Sequence, residues 1–138
     1  MSKAAKEFIH SIKVRFGQVD PAGIVFHPRY IEMVNDTIED WFAHLGFPFS
    51  AMHLEKHFGV PLVHIEADFF RPSRLGETLD FRLRVIKVGR SSLVLAVRGE
   101  CRGEKRLAAK VILARVDLKK GASAGWTPVL KRALEAWR

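Results

Sequence analysis

The chain has 138 residues, 48% hydrophobic and 28% charged, a balance that suits one globular domain over residues 1–138. Its 23 Lys and Arg against 15 Asp and Glu leave a net charge of +8, which favours an anionic partner: nucleic acid, a lipid surface or a phosphorylated small molecule. The single cysteine, Cys101, excludes an internal disulfide and a cysteine-based metal cage, and no run approaches the roughly 18 apolar residues of a membrane span.

In chain order, Ile12 to Phe16 alternates apolar and polar residues and predicts a half-buried strand. The N-terminal stretch that includes it, MSKAAKEFIHSIKVRF, lacks the apolar core of an export signal. Gly17 ends the strand, and Asp20-Pro21-Ala22-Gly23 is turn chemistry. Pro28 suits the first turn of a helix, where its missing N–H would have been unpaired anyway. That helix is expected from about Pro28 to Leu45, with Ile31, Val34, Ile38, Trp41, Phe42 and Leu45 as one apolar stripe. Gly46 and Pro48 stop it, and a short helical turn is expected over Ala51 to His57.

From there the period becomes two. Val63, Ile65, Ala67 and Phe69 form the apolar side of one strand, and Leu79, Phe81, Leu83 and Val85 that of the next. Leu93, Leu95 and Val97 follow a turn at Gly89-Arg90, and a further strand is expected from Leu107 to Leu118 after a turn near Gly103. Cys101 falls in such a strand and is expected as a small buried hydrophobe, with a reducing cytoplasm as the consistent compartment. Lys119 to Gly125 reads as a linker, and Thr127-Pro128 caps a short helix carrying Leu130, Leu134 and Trp137. The sum is an α+β domain: an antiparallel sheet whose apolar face is covered by the one long helix.

The chemistry concentrates in Asp20 to Tyr30. A carboxylate in a turn shortly before a helix N-terminus lies near unpaired N–H groups and the positive end of the helix dipole. Such a pairing can attack a carbonyl on one side and stabilise its oxyanion on the other. Asp also serves turns by bonding their backbone, so local chemistry alone leaves both roles open for Asp20.

The longer string D-P-A-G-I-V-F-H-P-R-Y resembles the signature of the hotdog-fold thioesterases of the 4-hydroxybenzoyl-CoA thioesterase type, including the related acyl-CoA thioesterases of the Tol–Pal cluster. The matching positions are Asp20, Gly23, Val25, His27 and Tyr30, and Pro72 to Glu77 resembles a turn of the same family. The resemblance implies a five-stranded antiparallel sheet wrapped around one long helix, with a short C-terminal helix. It implies Asp20 as nucleophile or general base against an acyl-CoA thioester, and the N–H of His27 as holder of the thioester oxygen. An imidazole role for His27 in substrate orientation or leaving-group protonation stays open.

The same resemblance implies a substrate pocket with Gly23, Tyr30, Asn35 and His64, and Glu66 and Asp68 stand as rival carboxylates on the strand of His64. Arg90 and Ser91 resemble a nucleotide-phosphate contact, with Arg74, Lys87 and Arg71 as further candidates for holding coenzyme A. Active sites at a dimer interface, a dimer or tetramer, and an aromatic acyl group are expected, with no cofactor beyond the coenzyme A of the substrate and no metal. An acyl-thioester hydratase would be expected to carry a D-x-N-P-x-x-x-H pattern, which is missing. A nucleic-acid binder has only the charge in its favour, without an RNA-recognition aromatic motif, zinc spacing or helix–turn–helix arrangement.

Overall fold

A computed structural model describes residues 6–138; residues 1–5 of the amino-terminal stretch lie outside it. The strands are β1 (Phe8–Lys13), β2 (Phe58–Gly59), β3 (Leu62–Phe69), β4 (Thr78–Val88), β5 (Ser92–Cys101), β6 (Glu104–Ala114), β7 (Val116–Asp117) and β8 (Ala122–Ser123). Helix α1 spans His27–His44 and helix α2 Pro128–Glu135. Five strands form one antiparallel sheet in the order β1-β4-β5-β6-β3. This is the expected hotdog arrangement, with α1 as the filling.

The apolar stripe of α1 is what the sheet closes on. Tyr30, Met33, Val34, Thr37, Ile38, Trp41 and Phe42 are buried, and Ile31 and Leu45 lie at the margins. Met33 and Thr37 widen the stripe read from the sequence. The Thr37 hydroxyl is accommodated because it donates to Met33 O at 2.8 Å and so is not itself left unpaired. Against this stripe stand Leu79, Phe81, Leu83, Leu93, Leu95, Val97 and Val111, all close to fully buried. Helix α2 closes one end: the Thr127 hydroxyl accepts from Leu130 N–H at 3.3 Å, and Trp137 meets Trp41 edge to face at 6.0 Å.

Several expectations are corrected. The first strand begins earlier and ends earlier, pairing with β4 from Phe8↔Leu83 to Lys13↔Thr78. The alternation runs upstream through Phe8, His10 and Ile12, whereas Phe16 starts a 3-10 turn and is exposed. On β3, Val63 and Phe69 are not core residues: they are 58% and 49% exposed, because β3 is the sheet edge and nothing among the described residues covers its open side. The last long strand stops at Ala114, since Arg115 turns away to stack on Phe58 at 3.9 Å and to donate to Gly125 O at 2.6 Å. Beyond it β7 pairs with β2 and β8, so part of the expected linker is strand. The short helical turn is π-helical over Ser50–Glu55. Between β5 and β6 both loop residues, Arg102 and Gly103, have positive φ, the geometry that matches a two-residue loop to sheet twist.

Candidate active site

After the 3-10 turn the chain doubles back. Val19 bridges Val25, and Phe26 N–H donates to Gln18 O at 2.9 Å. Asp20 to Gly23 is the tip: Asp20 N–H donates to Ile24 O and Gly23 N–H to Asp20 O, both at 2.9 Å. Gly23 takes φ +77°, which a side chain there would resist. The two roles left open for Asp20 turn out to be compatible. Its Oδ1 accepts from Ala22 N–H at 2.8 Å and fixes the turn, while Oδ2 has no hydrogen-bond partner among the described residues. The carboxylate is half-buried in a cleft of about 480 Å³ lined by Phe16, Val19, Pro21, Gly23 and Leu75.

Helix α1 begins immediately after this hairpin, with His27 first and Pro28 in the opening turn. Arg29 N–H turns back to Phe26 O at 2.8 Å, and Pro28 has none to offer. The N–H of His27 is taken up by no backbone acceptor among the described residues, so it is available at the positive end of the helix. The His27 side chain is exposed and 5.1 Å, ring to ring, from Phe26.

The hairpin is held from outside by the segment after β3. Val25 N–H donates to Ser73 O at 2.8 Å, Leu75 N–H to Gly23 O at 3.1 Å, and Ile24 bridges Arg74. Ser73 and Leu75 were not singled out from sequence. They act through main-chain bonds, and the only trace is the Pro72 to Glu77 turn pattern.

Tyr30 stands one turn into α1, 4% exposed, with its ring 5.4 Å from that of Phe69. Its hydroxyl is buried without a hydrogen-bond partner among the described residues. Farther along, exposed Asn35 shares with Ile31, Val34, Ile38, Leu62 and Ile65 a groove of about 330 Å³ between α1 and β3. Asp36 also lines it, and burial together with the charge of Asp40 raises its carboxyl above the ordinary range. His64, Glu66 and Asp68 are exposed on β3, with His64 Nε2 3.2 Å from Glu66 Oε1.

The structure therefore brings Asp20, Gly23, His27, Tyr30 and Arg74 to one end of the sheet, with Arg71 beside them in sequence. Asn35 lies in the separate groove between α1 and β3, which shares no lining residue with the Asp20 cleft, and His64 on the open edge. Arg90, Ser91 and Lys87 are not brought there. They sit at the opposite end of β4, whose 11 residues span roughly 35 Å. Trp126 N–H bonds Arg90 O at 3.0 Å and Arg115 N–H bonds Ser91 O at 2.7 Å, so that end is tied to the C-terminal segment.

A sheet curled around one helix, with an acid in the turn before the helix N-terminus, defines a hotdog-fold domain. The chain belongs to the thioesterase-like superfamily, whose family model matches residues 14–134. It is similar to a protein named 1,4-dihydroxy-2-naphthoyl-CoA hydrolase from Prochlorococcus marinus, with 30% identity over 99 residues, 67% of this chain and 64% of that protein. The match thus spans a little under two thirds of that relative's length. Among solved structures, a 1,4-dihydroxy-2-naphthoyl-CoA thioesterase from Synechocystis superposes with TM-score 0.86 at 19% identity, covering 93% of this chain and 95% of that one. A gentisyl-coenzyme A thioesterase superposes with TM-score 0.85 at 22% identity, covering 92% and 99%. These two likenesses establish the fold. No helix among the described residues is long and apolar enough to cross a membrane.

Proposed function

We propose that this protein hydrolyses the thioester of a hydroxylated aromatic acyl-CoA, giving the aromatic carboxylate and free coenzyme A. The observation that carries the reading is the unengaged Oδ2 of Asp20 beside a helix N-terminus whose His27 N–H has no acceptor. The names of the relatives favour the aromatic acyl group. The groove of Ile31, Val34 and Ile65 offers apolar walls to a ring, with Asn35 and Asp36 able to bond ring hydroxyls.

In the reaction the thioester oxygen takes the bond from His27 N–H, which strengthens as negative charge builds there. Asp20 then acts in one of two ways. Its Oδ2 bonds the acyl carbon, the C–S bond breaks, and water hydrolyses the resulting mixed anhydride. Alternatively it accepts a proton from water as that water attacks the same carbon. Both routes consume one water and release a thiolate, a leaving group good enough to dispense with a Ser–His–Asp triad. The thiolate is protonated by solvent or by the exposed imidazole of His27.

The working unit of this reading is a dimer joined through β3. That edge is unpaired among the described residues and carries Leu62, Val63 and Phe69, with Phe70 just beyond it, each about half exposed. Continuing the sheet antiparallel across a two-fold axis reverses the second copy. Its Arg90–Ser91 turn then comes to the sheet end that holds Asp20, where Arg90, Ser91 and Lys87 can meet the phosphates of coenzyme A. A cytoplasmic location accords with a lone, buried thiol. Thiol release from aromatic, short-chain and long-chain acyl-CoAs tests the reading: aromatic thioesters should turn over fastest, and no release from any would overturn it.

A further inference from the structure

The turn between β3 and β4 is anchored far more heavily than a sheet connection needs. Arg106 reaches it from β6 with its side chain 8% exposed. Nη1 donates to Pro72 O at 2.9 Å, Ser73 Oγ at 3.2 Å and Glu77 Oε1 at 2.9 Å, and Nη2 donates to Glu77 Oε2 at 3.1 Å. Glu104 stands 2.8 Å from Nε without aligning as a hydrogen-bond acceptor. Glu77 Oε1 also accepts from Arg74 N–H at 2.6 Å, and Cys101 Sγ lies 3.6 Å from Oε2. One guanidinium and one carboxylate thus hold both ends of a six-residue turn from inside.

That turn is the layer against which the Asp20 hairpin rests. Ser73 O receives Val25 N–H, Gly23 O receives Leu75 N–H, and Val14 exchanges bonds with Gly76 and Glu77 at 3.0 and 2.8 Å. Only one layer of main chain separates the guanidinium from the peptide units that set Asp20 and the start of α1. The pair is also robust to acid: Arg106 and the N–H of Arg74 hold the Glu77 carboxyl down to about 2. A buried ion pair is a poor source of net stability beside apolar packing, but removing one partner is costly because it leaves the other charge buried and uncompensated.

We infer that Arg106 and Glu77 are positioning residues, which set the Asp20 turn and the N-terminus of α1 in register for reaction. The inference rests on the thioesterase reading. Displacement of a reacting group by about 1 Å can cost on the order of a hundredfold in rate, so a loosened turn shows first in kcat. Lysine cannot restore the planar fork that bonds Glu77 through two nitrogens.

The test uses the full chain with Arg106→Lys and Glu77→Gln, and Asp20→Asn as reference. In both positioning variants kcat per folded molecule should fall about 10- to 100-fold, with KM for the acyl-CoA within about twofold. Amide exchange should quicken at Val25 and Leu75 and stay unchanged in β5. A merely structural role would lower the folded fraction and leave kcat per folded molecule alone. Should Arg106→Lys fail to fold, Glu77→Gln decides. If the wild type turns over, Asp20→Asn is inactive, and Glu77→Gln has full kcat with unchanged exchange, the positioning inference falls alone. If the wild type fails to turn over, or Asp20→Asn is fully active, the thioesterase reading falls and the inference with it.

Discussion

Tyr30→Phe probes a buried hydroxyl that bonds nothing among the described residues. Tyr30 is 4% exposed and its hydroxyl has no partner among the described residues. Burying an unsatisfied hydroxyl costs about 1–3 kcal/mol. Phe keeps the ring on Phe69 and removes only the oxygen, so the free protein should gain about 1 kcal/mol. At about 2.1 cal/mol/K per residue, a chain of 138 residues has an unfolding entropy near 0.29 kcal/mol/K, and the gain should raise Tm by roughly 3 °C. Calorimetry at one fixed protein concentration, backed by urea unfolding, reads this without interference from assembly. A loss of 1 kcal/mol or more would refute the reasoning, because it would mean that the hydroxyl is satisfied. If the hydroxyl faces the acyl group, kcat/KM for a hydroxylated aromatic thioester should fall while stability rises.

Val63→Lys adds a charge to the half-exposed β3 edge and should shift the assembly to monomers in sedimentation, with activity falling in parallel; active monomers would remove the shared site. Arg90→Glu should raise KM for the acyl-CoA with kcat nearly unchanged and leave an acyl-pantetheine untouched, since a phosphate contact far from the thioester binds ground and transition states alike. Equal KM changes for both substrates would take Arg90 out of the nucleotide site. Glu77 has its carboxyl lowered from 4.5 to about 2, so its contribution is fully present above pH 4.5 and is lost as pH falls toward 2. In urea titrations the stability gap between wild type and Glu77→Gln should therefore close over that window, and a gap that persists at pH 2 would contradict the ion-pair account.

Much of this was legible because it is local. The stripe of Val34, Ile38, Trp41 and Phe42, the stop at Gly46 and the cap at Thr127 each write a short-range rule into adjacent residues. The D-P-A-G string marks the turn for the same reason, since Gly23 requires its positive φ. What was not legible depends on distant partners. Alternation is clean only from Ile12 to Phe16, being blurred upstream by Ile9 and His10, and only pairing with β4 decides where the strand starts and stops. Phe69 looks like core in any alternating pattern and is half exposed because β3 is the sheet edge, with β6 on one side and no strand among the described residues on the other. The bonds from Ser73 and Leu75 to the Asp20 hairpin are main-chain bonds, which leave no side-chain signature. Arg90 resembles a phosphate contact, but its separation from Asp20 by the length of β4 emerges only from the sheet.

The central claim is that Asp20 carries the chemistry, and single-turnover thiol release by Asp20→Asn tests it most directly. Asn preserves the oxygen that accepts from Ala22 N–H, so the turn and the assembly should persist. It removes the charge needed to attack or to take a proton. The account predicts wild-type secondary structure and oligomer with the single-turnover rate constant lower by at least about a hundredfold. Near-normal turnover by the folded variant, or an equal loss in Glu66→Gln with Asp20→Asn unaffected, would contradict it.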